Sequence, residues 1–282
     1  MRCPRPGDGL GNRSAGKVEN QEHAAGEPFR PQSTLWHGPP AYAPRTPWKA
    51  GWALLATAII VGLSIVVAAS WYVLGGWDVS RRPDVALAEA QGSLRLFAIW
   101  QVGVVVLTLA ASRLFRGRLR DVLALRPTAG GWRTYAGAVL VLIVMQVAVS
   151  GVQYLTNRGD LYADLRPFVE MVRGPDWMLA AAVIGIGAPL SEELLFRGFL
   201  LSALAQTRVG FWGAALISTA LWTSLHVGYT VVGILEVALI GLLFSWLLWR
   251  TGSLRVPIFC HALYNSLIVL SLRLIDLPMT AG

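Results

Sequence analysis

The chain has 282 residues, 55% of them hydrophobic and only 14% charged, with a mean hydropathy of +0.53. A soluble domain carries about 25% charged residues, so composition excludes an ordinary soluble protein and points to an all-α, polytopic membrane bundle with a polar tail. The net charge of +8 does not signal nucleic-acid binding: Lys and Arg sit in the tail and between apolar runs, as positive-inside placement requires, and no basic helix with interleaved aromatics is present.

Met1 to Pro47 is polar and rich in Gly, Pro, Arg and Glu. It lacks periodicity and is expected to be disordered. It has no apolar stretch of signal-peptide type. His23 and His37 lie here as solvated tail residues, and Cys3 is too remote from Cys260 for a disulfide framework.

Apolar runs follow at Gly51–Leu74, Leu94–Ser112, Tyr135–Leu155, Trp177–Leu204, Val209–Leu225, Tyr229–Trp249 and Val256–Leu272. A span needs about 20 apolar residues, so about seven spans are expected, the Val209 run being the shortest. Residues 48–131 form an accessory pair of spans and 132–282 a catalytic core. Trp52, Trp71, Trp77, Trp100, Trp132, Trp177 and Trp249 fall near run ends, as an interfacial belt does. Arg45 and Lys49 precede the first span. Arg113, Arg116, Arg118, Arg120, Arg126 and Arg133 crowd the second loop, with Arg208, Arg250 and Arg255 in later ones. These loops are expected on the cytoplasmic side, together with the N-terminus. The loop bearing Asp160, Asp164, Glu170 and Asp176 is expected outside.

Ionisable groups inside spans cost several kcal/mol unless paired or facing a wet cavity. The first three spans contain little of this kind: Arg95 can snorkel, and Gln101 and Gln146 read as interhelical glue. The last four hold Glu192, Glu193, Arg197, His226, Glu236, His261 and Asn265. Glu193 and Arg197 stand at i and i+4 in the favourable order for a helical ion pair, which leaves Glu192, about 100° away, free to act on something else. His261 and Asn265 share a face by the same spacing, as do Trp222 and His226, where Trp222 reads as packing. Gly185, Gly187 and Pro189 predict a kink before the glutamates. Glu236 has no evident partner and is expected to snorkel toward a loop.

The set Glu192-Glu193-x-x-x-Arg197, Trp222-x-x-x-His226 and His261-x-x-x-Asn265, with the lead-in Trp249 to Ile258, resembles the CPBP family, which comprises CAAX proteases and bacteriocin-processing or immunity proteins. The resemblance covers roughly Trp177 to Leu272 and departs in one place, Trp222 standing where phenylalanine is commoner. It implies an integral-membrane endopeptidase acting on a membrane-associated protein or peptide, with the lipid bilayer as its other partner. A bacterial cell membrane is the expected location.

Amide hydrolysis by water needs a base and donors for the tetrahedral oxyanion. Glu192 is the candidate base, His226 the group that orients the water, Arg197 the anchor of Glu193, and His261 with Asn265 the oxyanion donors. A rival arrangement places zinc on Glu192, His226 and His261. No HExxH pattern is present, and the metal-free glutamate route, with no cofactor, is favoured. A non-catalytic immunity or scaffold protein and a carboxylate-lined transporter are the alternative classes.

Overall fold

The computed structural model describes residues 35–75, 84–114, 117–156 and 162–275. The tail to residue 34, with Cys3 and His23, lies outside the described residues, as do Trp77, Arg116 and Asp160. The described residues are helical, without strands. The long elements are α1 (Ala50–Leu74), α2 (Val85–Arg113), α4 (Gly131–Thr156), α6 (Trp177–Leu204), α7 (Gly210–Thr223), α8 (Val231–Thr251) and α9 (Arg255–Leu274). Two short helices fall in loops: α3 (Leu119–Val122) and α5 (Arg166–Arg173).

Each long helix is apolar on nearly every face, so hydrocarbon solvates its outside and backbone bonding is satisfied within it. Capping sets the starts of α2 and α8: Asp84 accepts from the Leu87 amide and Thr230 from the Gly233 amide, each at 3.0 Å. Among the described residues six helices are long and apolar enough to cross a membrane, and α7 falls short of them. With 14 residues it reaches about 21 Å, against a hydrocarbon core of about 30 Å. Trp212 near its start meets Trp249 near the end of α8 at 5.4 Å between ring centroids. At the other end of the segment, the Thr230 amide and hydroxyl donate to Asp164 at 2.7 and 2.8 Å. The run 210–230 therefore travels antiparallel to α8 with its last third non-helical. Gly228, at φ +93°, supplies the left-handed backbone this turn needs.

The most enclosed span is α6. Its residues Glu193 to Leu204 are all buried, and α2, α7 and α9 pack around it. It is not a uniform α-helix. Val183–Gly187 and Glu193–Leu201 are π-helical, with i→i+5 bonds. Such wide turns recur at functional sites, and the first one falls just before Pro189, where the sequence predicts a kink.

The segment 35–48 falls almost wholly within the region expected to be disordered. It forms no helix, yet it is held against the ends of α6, α7 and α8. The Arg250 guanidinium donates to the carbonyls of Leu35, Gly38 and His37 at 3.0–3.2 Å. The Tyr42 amide bonds the Trp249 carbonyl at 3.2 Å. Trp48 stacks on Phe199 at 4.7 Å, and its indole N–H reaches the Phe199 carbonyl at 3.3 Å. Polarity and proline content hid the few aromatics that fasten it. Burial raises the Tyr42 phenol above its ordinary pKa, against a smaller opposing effect from Ser202.

Candidate active site

Two glutamates, an arginine, a tryptophan and a histidine from α6, α7 and α9 meet at one point. Glu193 and Arg197 are both fully buried, and Arg197 Nη1 lies 3.1 Å from Glu193 Oε1. The expected pairing therefore forms, across a π-helical rather than an α-helical turn. Nη1 makes no aligned hydrogen bond, so the contact is an ion pair. The guanidinium face is covered by Trp222, whose ring centroid lies 4.2 Å from Arg197 Cζ, a desolvated cation–π contact.

Glu192 is in a different state. Its side chain keeps 14% exposure, and Oε2 accepts the Trp222 indole N–H at 2.6 Å. A short, charge-assisted bond of this kind fixes the carboxylate. Trp222 is thus a functional neighbour of Glu192 as well as a packing residue. The indole donor itself was the available signal: a buried tryptophan N–H needs an acceptor.

His261 stands between the two glutamates. Its Nδ1 lies 3.0 Å from Glu193 Oε1, and Nε2 lies 3.8 Å from Glu192 Oε2. A carboxylate accepts and does not donate, so Nδ1 carries the proton in that bond. Phe244 of α8 packs on the imidazole at 4.9 Å with an interplanar angle of 31°. Gly241, one turn before Phe244, makes room for the cluster. A Cβ there would meet Arg197 Nη2 and Trp222 Cζ3 at 2.9 Å and Thr219 Cγ2 at 2.7 Å. Neither Phe244 nor Gly241 announces itself in the sequence, because both are ordinary residues of an apolar span.

Asn265 follows a logic that spacing did not reveal. Its Nδ2 donates to the Ile184 carbonyl at 3.0 Å. In the π-helical turn, the Ala188 amide bonds Val183. The partner due to Ile184 is then residue 189, a proline without an N–H. Asn265 supplies the missing donor, so it braces the π-helical turn of α6.

His226 lies just beyond the end of α7. Its Nδ1 is 3.3 Å from the Trp222 carbonyl, and its ring sits edge-on to Trp222 and Tyr229 at 5.0 and 5.2 Å. A cavity of about 580 Å³ opens between α7 and α8. Its wall includes His226, Thr223 and Tyr229 but neither Glu192 nor His261. Trp222 touches Glu192, Arg197, His226 and His261 and is the hub of the site. Tyr229, in the loop, has its phenol pushed up to about 12 by burial, then by Glu192, Asp164 and Glu236.

Among the described residues, no three His, Cys, Asp or Glu side chains are grouped so as to hold a metal ion. Glu192, His226 and His261, the set expected for zinc, share Trp222 as a neighbour without converging as ligands. Glu236 does not snorkel. It accepts hydrogen bonds from Gln146, Gln153 and Tyr264.

Comparison with known proteins bears on the same helices. Residues 174–267 match the family described as type II CAAX prenyl endopeptidase Rce1-like. The chain is 24% identical over 226 residues to the Bacillus subtilis (strain 168) protein named "Putative membrane peptidase YdiL", covering 79% of this chain and 88% of that one. It is 29% identical over 198 residues to an Escherichia coli protein named "Uncharacterized 24.3 kDa protein", covering 67% and 88%. A Lactococcus lactis subsp. lactis (strain IL1403) protein, "UPF0177 protein YxdF", is 24% identical over 138 residues, covering 49% and 70%. No solved structure matches the chain. The stretch 174–267 of this integral membrane protein, which carries Glu192, Glu193, Arg197, Trp222, His226, His261 and Asn265, is thus similar to the Rce1-like endopeptidases, in keeping with the resemblance its motifs carry.

Proposed function

We propose that the protein is an intramembrane endopeptidase that hydrolyses a peptide bond of a membrane-associated protein or peptide, with Glu192 as the general base and no metal. The observation that carries this reading is the unequal state of the two glutamates. Glu193 is enclosed and committed to Arg197 and His261. Glu192 keeps partial exposure, and its Oε2 lies 3.8 Å from His261 Nε2. A water hydrogen-bonded to both atoms at about 2.8 Å fits that separation.

In this mechanism Glu192 takes a proton from the water as its oxygen attacks the scissile carbonyl. The carbonyl π electrons move onto oxygen, giving a tetrahedral oxyanion. On collapse the C–N bond breaks, and the proton held by Glu192 passes to the leaving nitrogen, restoring the carboxylate. His261, with Nδ1–H held on Glu193, orients Nε2 toward the water. Arg197 pairs with Glu193, the acceptor of that bond. His226 lines the cavity with Nδ1–H donating to the Trp222 carbonyl, which leaves Nε2 as an acceptor for a backbone N–H of a substrate lying there. Asn265 braces α6 so that Glu192 holds its aim. The protein is further read as a bacterial cell-membrane enzyme with a cytoplasmic N-terminus.

Terminal-peptide proteomics of membranes from cells carrying the wild type or Glu192→Ala tests the reading and finds the substrate. New N-termini that vanish in the variant, at equal protein level and equal Tm, are the expected result. Identical termini in both would overturn it in favour of a scaffold or immunity role. Chelator treatment that abolishes wild-type cleavage, with recovery on adding Zn²⁺, would replace the metal-free route.

A further inference from the structure

Glu236 belongs to none of the motifs and has the most elaborate partners of any carboxylate in the spans. Its Oε1 accepts from Gln146 Nε2 at 2.8 Å and from the Tyr264 hydroxyl at 3.2 Å; its Oε2 accepts from Gln153 Nε2 at 3.3 Å. Gln146 Nε2 also donates to the Tyr264 oxygen at 2.7 Å. Three helices are joined: α4 through two glutamines seven residues apart, hence on one face, α8 through Glu236, and α9 through Tyr264. The least buried of the six spans is α4, and this polar knot adds to the packing of its buried Ala138 and Leu142 in holding an otherwise lipid-facing helix.

Tyr264 is the informative partner. It lies three residues after His261 and immediately before Asn265. A displacement of its hydroxyl is a rotation or slide of α9, and both site residues move with it. Phe244, which packs on His261, lies eight residues after Glu236 on α8, about 12 Å along the same helix.

We propose that Glu236 is a positioning residue of the active site: through Tyr264 it sets the register of α9, and so the placement of His261 between Glu192 and Glu193, with α4 recruited through Gln146 and Gln153 as the outer brace. Its catalytic consequence rests on the peptidase reading above; the coupling to His261 does not.

The chain has four histidines, so full-length protein labelled with ¹⁵N-histidine and reconstituted in nanodiscs gives a sparse imidazole spectrum. Assignment comes from His226→Gln and His261→Gln. Glu236→Leu and Tyr264→Phe are each expected to displace the His261 ring signals in the same sense. The double variant should add nothing further, because both break one connection. Leu239→Ala, a lipid-facing change on α8, should leave those signals in place. Glu236→Gln and Tyr264→Phe keep side-chain size and serve the same comparison if Glu236→Leu does not fold. His261 signals that overlay the wild type in these variants, or that move equally in Leu239→Ala, would overturn the proposal. With a cleaved substrate in hand, kcat should fall on the order of tenfold to a hundredfold at unchanged KM, the sign of misplacement. A loss of activity matched by loss of Tm would instead mark a purely structural role. Shifted His261 signals in a protein that cleaves nothing would refute the peptidase reading and keep the coupling; intact cleavage with unmoved signals would do the reverse.

Discussion

The indole N–H of Trp222 donates to Glu192 Oε2 at 2.6 Å while the same ring covers the Arg197 guanidinium at 4.2 Å. One side chain thus serves both glutamates, directly for Glu192 and through Arg197 for Glu193. Trp222→Phe keeps the ring and deletes the donor. A hydrogen bond to a charged group contributes about 1.5–3 kcal/mol, so kcat should fall roughly ten- to a hundredfold with little change in Tm. Equal kcat in the two proteins would show that the bond does not hold the base.

The Glu193–Arg197 pair separates stability from activity. Removing one partner of a fully buried pair leaves an uncompensated charge and costs about 3–5 kcal/mol. Arg197→Met should therefore lower Tm strongly. The double variant Glu193→Leu with Arg197→Met should recover most of that loss yet remain inactive, since His261 then has no acceptor. Thermal unfolding in detergent, with cleavage measured on the same samples, checks both parts.

Gly241→Ala asks whether close packing at α8 is needed. The added methyl would press on Arg197, Trp222 and Thr219, and overpacking of this sort costs about 1–3 kcal/mol. Gly62→Ala, whose Cβ meets nothing within 4 Å, should be neutral or slightly stabilising, because alanine is the better helix former. The difference in Tm between the two variants is the measurement.

Arg250→Ala should release the segment 35–48. The guanidinium donates to three carbonyls of that segment, and their loss exposes peptide bonds that are now held against α8. Faster hydrogen exchange and earlier proteolytic nicking at 35–48, without a change in the exchange of α6, is the expected pattern.

Asn265→Ala removes the donor to Ile184 and leaves that carbonyl unsatisfied, a cost of about 1–3 kcal/mol. Loss of Tm together with activity is expected from a brace of the π-helical turn in α6. Loss of kcat alone, at unchanged Tm, would restore the oxyanion role that the spacing suggested.

The motif residues were legible because ionisable groups in hydrocarbon are costly, so each one that persists stands out against an apolar background. The spans were legible for the same reason, and so was the ion pair between Glu193 and Arg197, whose partners lie four residues apart. The limits appear at particular residues. The Val209 run has the composition of a span, but Gly228 and the Thr230–Asp164 contact end it as a short helix and a turn. Gln146 and Glu236 lie ninety positions apart, and nothing local joins them.

By itself the sequence determined that this is a membrane bundle and which polar side chains it must hide, since composition and depth in the bilayer are local properties. Only the tertiary structure decided which partner each polar group found: Trp222 for Glu192, Ile184 for Asn265, Tyr264 for Glu236, and α8 for the segment 35–48. A helix that is apolar on every face carries no stripe to announce its neighbours. In such a helix the choice of faces is made by close packing and by the few hydrogen bonds that lipid cannot supply.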